Sequence, residues 1–342
     1  MRVEVVLSAD IEFDINGALT FPDRRTPAGT ECVYRRDGEH DQGLMFILET
    51  LDRHALPGSF FLETLGARYF GVEKITELAT VITRSGRHEL ELHLHPEWRY
   101  FNGDDWRDEL TVARANGWRP SGSVADCSEQ LYGEILDEAC ATFELAAGRR
   151  PRLFRSGGLS AVEFMYPLLA QRGIVASSSV GLAYNPSNDV SLHLCHGQAV
   201  IEGLLEFPVT SFADLAVGRW RHLRLLTITG CTFSEIRGVL ECASRLQQGP
   251  VVVLTHASEF SVAVPNGSGG TDYRANPVTM KRLERLCGFL AENSDRFEVT
   301  TLSHCTENSS GRQAGVKPFQ VGPWALLKRW LDNQSVQRIA TG

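Results

Sequence analysis

Apolar runs of strand length alternate with amphipathic runs of helix length along most of this chain, and few folds tolerate that order. Val3 to Ala9 has the composition of a strand. Gln42 to His54 has that of a helix, Gly58 to Glu63 a strand, Glu73 to Ser85 a helix and His88 to His95 a strand. The pattern continues with a long helix from Ser128 to Ala147, a short strand over 152–155, a helix from Ala161 to Arg172 and a strand over 174–177. Leu204 to Val209 and Val251 to His256 read as strands on either side of a helix from Ser234 to Gln247. A helix from Asn276 to Asn293 and a strand from Phe297 to Leu302 complete the series. Such alternation implies parallel strands joined by right-handed crossovers. Seven or eight strands in one unit fit a closed barrel better than an open sheet.

The 342 residues, 43% hydrophobic, suffice for one large α/β domain. A net charge of -8 argues against general nucleic-acid binding. No basic leader with an apolar stretch and a cleavage site precedes the first strand, and no apolar run is long enough to span a bilayer. The cysteines Cys32, Cys127, Cys140, Cys195, Cys231, Cys242, Cys287 and Cys305 include no Cys-x-x-Cys pair, so buried thiols in a reducing cytoplasm are expected. The barrel is expected over residues 1–305. A tail over 306–342 follows, with an amphipathic basic helix at Pro323 to Leu331 that docks on the body or on a second subunit of a homo-oligomer. No stable membrane association is expected.

Catalytic groups in parallel β/α folds sit at the carboxyl ends of strands. Here those ends hold Asp10 and Glu12, then His93 and His95, then Arg155, then Glu206 with Pro208, then Leu254 and His256. His93 and His95, two apart on a strand, point to one side, and Pro96 ends the strand beyond them. With Glu12 they would make a two-nitrogen, one-carboxylate site for a divalent cation, with positions left open for water and substrate. Asp10 would accept a proton from that water and His256 would donate one to the leaving group. Arg155 would pair with Asp10 and orient it. Each residue alone has an ordinary structural explanation; their convergence on neighbouring strand ends favours hydrolysis of an acyl bond. Long polar segments over 13–41 and 99–126 follow two of these strands and are expected to wall the cleft. Gly267 to Thr271 is expected to form a flap beside His256. His88, His193 and His196 are expected to be structural. The basic run Arg219 to Arg224 reads as a solvated face that could also meet an anionic substrate group.

Five short motifs in this order resemble those of the polysaccharide deacetylases, the NodB-homology group also called carbohydrate esterase family 4. They are Ser8-Ala9-Asp10-Ile11-Glu12, His88-Glu89-Leu90-Glu91-Leu92-His93-Leu94-His95-Pro96, Arg152-Leu153-Phe154-Arg155-Ser156-Gly157-Gly158, Leu205-Glu206-Phe207-Pro208 and Leu254-Thr255-His256. The resemblance implies a distorted (β/α)7 barrel. It implies Asp10 as base, Glu12 as metal ligand, Arg155 as the residue orienting the base, Glu206 and Pro208 in the groove, and His256 as acid. Leu254 would wall the acyl pocket, and Trp98 would contact substrate. Two departures stand out. Asp10 and Glu12 are separated by Ile11, where the commonest first motif has adjacent aspartates. The commonest second motif spaces its histidines four apart, which places Glu97 in competition with His95 for the metal. The motifs His-x-His-Pro and His-x-Ser-Glu, the latter at His256 to Glu259, resemble a divergent cytoplasmic branch. The expected activity is therefore hydrolysis of a carbon–nitrogen bond in a small N-acylated sugar, sugar conjugate or other amide. The expected cofactor is zinc, with cobalt, nickel or iron as alternatives. A cyclic amide or ureide hydrolase of the allantoinase type, and an inactive binding scaffold, are the two competing readings.

Overall fold

The computed structural model describes residues 2–117, 122–217, 220–265, 271–309 and 315–321. Seven strands form the main parallel run: β1 (Val3–Ile11), β2 (Ser59–Glu63), β3 (Glu89–Leu94), β4 (Leu153–Ser156), β5 (Ala176–Ser177), β6 (Leu204–Glu206) and β7 (Val251–His256). They lie side by side in the order β7-β1-β2-β3-β4-β5-β6. An antiparallel strand, Ala199–Ile201, continues the sheet beyond β6. The last parallel strand, β8 (Phe297–Thr300), shares one edge of β1 with β2: it pairs with Val3–Val6, while β2 pairs with Ser8–Ile11. The opposite edge of β1 belongs to β7.

The sheet curls back on itself after β6. Val209 donates its N–H to the carbonyl of Val180 just past β5, and the next residue, Thr210, donates to Val252 in β7. The N–H of Val252 returns a bond to Oγ1 of Thr210 at 3.0 Å. Burial divides accordingly, because alternate residues of a strand face opposite sides. Val6, Phe61, Leu153, Ala176, Phe207, Val252 and Leu254 pack into an inner cluster. Val5, Leu7, Phe60, Leu62, Leu90, Leu92, Val251 and Val253 join an outer one under the helices. Inner and outer cores on one curled parallel sheet make this the expected distorted (β/α) barrel.

The helices lie close to their expected places: α1 (Leu44–Arg53), α2 (Val72–Thr83), α3 (Glu129–Ala147), α4 (Met165–Gln171), α5 (Phe233–Leu246) and α6 (Pro277–Glu292). Three of the six starts are chemically marked. Ser128 caps α3, Thr232 and Glu235 form a reciprocal capping box on α5, and Asn276 precedes the N1 proline of α6.

Other elements differ from expectation. The segment 99–126 contains a helix, Trp106–Ala115, anchored by buried Trp106 and Leu110. Two antiparallel hairpins lie beside the site, Ser211–Val217 with Trp220–Leu225 and Ser261–Pro265 with Thr271–Ala275. Phe319–Gln320 pairs with the first hairpin, and Phe319 stacks on His196 at 3.9 Å. The expected helix at Pro323 to Leu331 and most of the expected flap lie outside the described residues. All eight cysteines are free, and all but Cys140 are buried. Among the described residues no helix is long and apolar enough to cross a membrane.

Candidate active site

Strand register brings the motif residues to one height. Asp10 pairs with His256 across β1 and β7, and His93 pairs with Arg155 across β3 and β4. β2, between β1 and β3, contributes Phe61, whose ring lies under the Arg155 guanidinium at 4.2 Å. Arg155 is fully buried and reaches across the barrel interior. Its Nη1 donates to Oδ1 of Asp10 at 2.7 Å, its Nη2 to the hydroxyls of Ser8 and Ser178, and its Nε to the carbonyl of Ser178. A buried guanidinium with this many acceptors is held in one orientation, and it holds Asp10 in turn. The other oxygen, Oδ2, lies 3.9 Å from Nε2 of His93 and 3.8 Å from Nε2 of His256.

Glu12, His93 and His95 converge beside it. Oε2 of Glu12 lies 3.3 Å from Nε2 of His93 and 2.7 Å from Nε2 of His95. The candidate ligand atoms of the three residues all lie within 4.8 Å of one another, which is compatible with one shared cation. The far nitrogen of each imidazole is engaged. Nδ1 of His93 lies 2.9 Å from the carbonyl of Arg155, and Nδ1 of His95 lies 3.0 Å from Oε1 of Glu97. With a proton on each Nδ1, the neutral imidazoles that a cation requires would turn their Nε2 lone pairs to the space beside Glu12, the usual outer support of a metal-binding histidine. The donor set therefore fits a divalent cation, and Glu97 stands behind His95 rather than beside Glu12.

Charge reinforces the geometry. Burial alone would raise the carboxyl of Glu12, but the His95 charge and hydrogen bonds from both histidines hold it well below the usual range. Burial alone would lower His95; Glu97 and Glu12 outweigh it and raise the imidazole well above its ordinary value. The same contest governs His256. Burial pulls it down, but Oε1 of Glu259, 3.2 Å from its Nδ1, together with Asp10 and Glu12 raises it to about 9. Thr255 fixes the other oxygen of Glu259 at 2.7 Å. A histidine so paired stays protonated at neutral pH and can act as an acid.

Two cavities meet at these residues. One of about 270 Å³ is walled by Asp14, Cys32, Arg35, Glu97, Trp98 and Ser258. The other, of about 530 Å³, is walled by Leu159, Tyr184, His222, Arg224, Leu225 and Leu254. Asp10, Glu12, His95 and His256 line both. Trp98 thus lines the smaller cavity and Leu254 the larger. Glu206 and Pro208 line neither. Glu206 is fully buried; its Oε1 accepts the N–H groups of Ser179 and Val180, and its Oε2 accepts the hydroxyl of Tyr166. The expectation of a groove carboxylate is corrected to a structural one that ties β6 to the chain beyond β5: Phe207 joins the inner cluster, so its neighbour Glu206 faces the outer layer, where Tyr166 of α4 meets it. Burial raises its carboxyl. Pro208 is likewise buried.

Other expectations concerned the histidines and the basic run. His88 packs on Phe60 away from the site, and His193 and His196 contact backbone carbonyls. The basic run is only partly a solvated face, since His222 and Arg224 wall the larger cavity. Sequence reasoning gave no role to Glu259 or Arg35. Glu259 had a legible signal, three residues beyond His256 at a strand end, while Arg35 is brought in only by the fold of 13–41.

No family model matches the chain, and no curated protein does. Solved structures do. A Mycobacterium smegmatis protein assigned as a polysaccharide deacetylase superposes with a TM-score of 0.52 at 18% identity, over 90% of this chain and 89% of that one. The fold is that of a polysaccharide deacetylase. A family 4 carbohydrate esterase from Streptomyces lividans gives a TM-score of 0.44 at 12% identity, over 92% and 98% of the two chains. A peptidoglycan deacetylase from Bacillus subtilis gives 0.40 at 13% identity, over 90% and 91%. Within the deacetylase fold, function has to be argued from the site.

Proposed function

We propose that this chain is a metal-dependent amide hydrolase that removes an acetyl or similar acyl group from a small N-acylated molecule, such as a sugar or sugar conjugate. The observation that carries this reading is the placement of two differently supported proton carriers beside one three-ligand cluster. Asp10 is held as an acceptor by Arg155, and His256 is held as a donor by Glu259. Both have an atom within 4 Å of the cluster or of each other.

Glu12, His93 and His95 would hold the cation, zinc first by the chemistry of a borderline N/O donor set. When bound, it would polarise the acyl oxygen and acidify water at the open positions. Asp10 takes the proton of the attacking water on Oδ2, the oxygen that Arg155 leaves free. His256 gives its Nε2 proton to the departing nitrogen, so the amine leaves neutral. One proton is taken up by Asp10 and one is released by His256. Oδ2 and Nε2 stand 3.8 Å apart, beyond direct hydrogen-bond reach, so Asp10 loses its proton and His256 regains one through solvent. The larger cavity gives room for one arm of the substrate beyond Leu254, the smaller for the other.

The test is turnover. The purified chain, loaded with zinc and then stripped by chelation, is assayed on a panel of N-acetylated sugars, N-acetylated amines and cyclic ureides. Acyl release that follows the metal supports the proposal. Ureide turnover that survives chelation selects the metal-free cyclic-amide reading, and bound metal with no turnover on any substrate selects the inactive scaffold.

A further inference from the structure

The smaller cavity contains a cationic side chain that the hydrolytic chemistry does not use. Its four carboxylates are engaged elsewhere: Asp10 with Arg155, Glu12 and Glu97 with His95, and Asp14 with the N–H of Asn16 at 2.6 Å. Arg35 has no carboxylate partner among the described residues. Its Nε donates to the carbonyl of Cys32 at 3.0 Å, and its guanidinium carbon stands 4.7 Å from the centroid of the Tyr273 ring. These two contacts fix the guanidinium and leave its Nη groups without a hydrogen-bond partner among the described residues.

The backbone at Arg35 points the same way. It closes the short helix Thr30–Tyr34 in the left-handed region, φ 50° and ψ 58°, where glycine carries less strain. The cap does not call for an arginine there. A fixed guanidinium on a residue that walls the cavity opening onto Glu12 and His95 has the chemistry to recognise a planar anion through two parallel N–H bonds.

We infer that the substrate carries a carboxylate on the arm that enters the smaller cavity, and that Arg35 selects for it. This rests on the hydrolase reading and narrows its substrate class from N-acylated molecules in general to acidic ones.

The test reads binding. Zinc-loaded full-length protein is titrated calorimetrically with the monohydroxamates of succinic, glutaric and adipic acid, and with the same three compounds whose free carboxylate is replaced by a carboxamide. At one chain length the carboxylate form binds at least about tenfold more tightly than its amide. Arg35→Gln abolishes that preference and leaves the amide form within about twofold of wild type, which also shows that the variant is folded; Arg35→Lys keeps part of the preference. No carboxylate preference at any length, or a preference that survives Arg35→Gln, overturns the inference while the hydrolase reading stands. Failure of every hydroxamate to bind overturns the hydrolase reading and this inference with it.

Discussion

Oε1 of Glu97 lies 3.0 Å from Nδ1 of His95, on the opposite side of the imidazole from Glu12. Spacing alone made Glu97 a rival ligand; in the structure it contacts the far nitrogen of His95, the proposed ligand. Glu97→Ala should therefore still bind one metal ion, about 10–100-fold more weakly, because the tautomer and ring orientation lose their anchor. His95→Ala should lose more. Chelator competition measures both. Abolished binding in Glu97→Ala with binding kept in His95→Ala would exchange the two roles.

Metal binding should release protons. In the metal-free protein burial opposes a charge on His95, but Glu97 and Glu12 raise its affinity for a proton well above the ordinary value. A cation needs the neutral imidazole, so it displaces that proton, and affinity rises with pH across the neutral range. Calorimetry in buffers of different ionisation enthalpy gives the number released. Affinity independent of pH would contradict this charge assignment.

Arg155 and Asp10 form a buried pair whose members cost most when left alone. Arg155→Met should destabilise the metal-free protein by about 3–5 kcal/mol, since Asp10 stays buried without its partner. Adding Asp10→Asn should recover part of the loss. Urea denaturation of the single and double variants is the measurement; a loss below about 1 kcal/mol for the single variant would mean the pair is already solvated.

In the proposed reaction His256 and Glu259 should set the alkaline limb of the activity profile. Burial lowers His256, and Glu259 is the first of the groups that raise it to about 9. The protonated form is the acid, so activity falls as pH rises through that value. Glu259→Gln removes the raising charge and should move the limb to lower pH. His256→Ala should cost about 10²–10⁴ in kcat. An alkaline limb unmoved by Glu259→Gln would assign it to another group.

Glu206 should matter for folding and not for substrate. Glu206→Ala removes hydrogen bonds from two backbone N–H groups and one tyrosine hydroxyl, all buried, at a cost of about 2–4 kcal/mol. KM of the folded enzyme should be unchanged. A raised KM at full stability would return Glu206 to the groove.

How much of this was legible in the sequence depended on range. Periodicity and caps are local, so β1, β3 and β7 and the helices begun by Ser128, Thr232 and Asn276 fall near their expected places. The convergence of the three proposed ligands was legible because His93, His95 and Glu12 each lie at a strand end, and parallel strands end on one side. Glu206 also ends a strand, but it points outward under α4, because its neighbour Phe207 takes the inner face of β6. The hairpin at 211–225 was hidden because its residues include Arg221, His222 and Arg224, which read as a charged surface until the fold brings them over the cavity. Trp106–Ala115 offered just two buried apolar positions, Trp106 and Leu110, too few for a periodic signal. Arg35 becomes informative only through contacts with Tyr273, far along the chain.

The hydrolase reading stands on a metal site formed by Glu12, His93 and His95. Elemental analysis of protein purified without a metal-affinity tag tests it most directly, on wild type, His93→Ala and His95→Ala. Wild type should hold close to one divalent ion per chain, and both variants should lose it. Wild-type protein that holds no metal even after incubation with zinc, or a His93→Ala variant that keeps a full complement, would contradict that site.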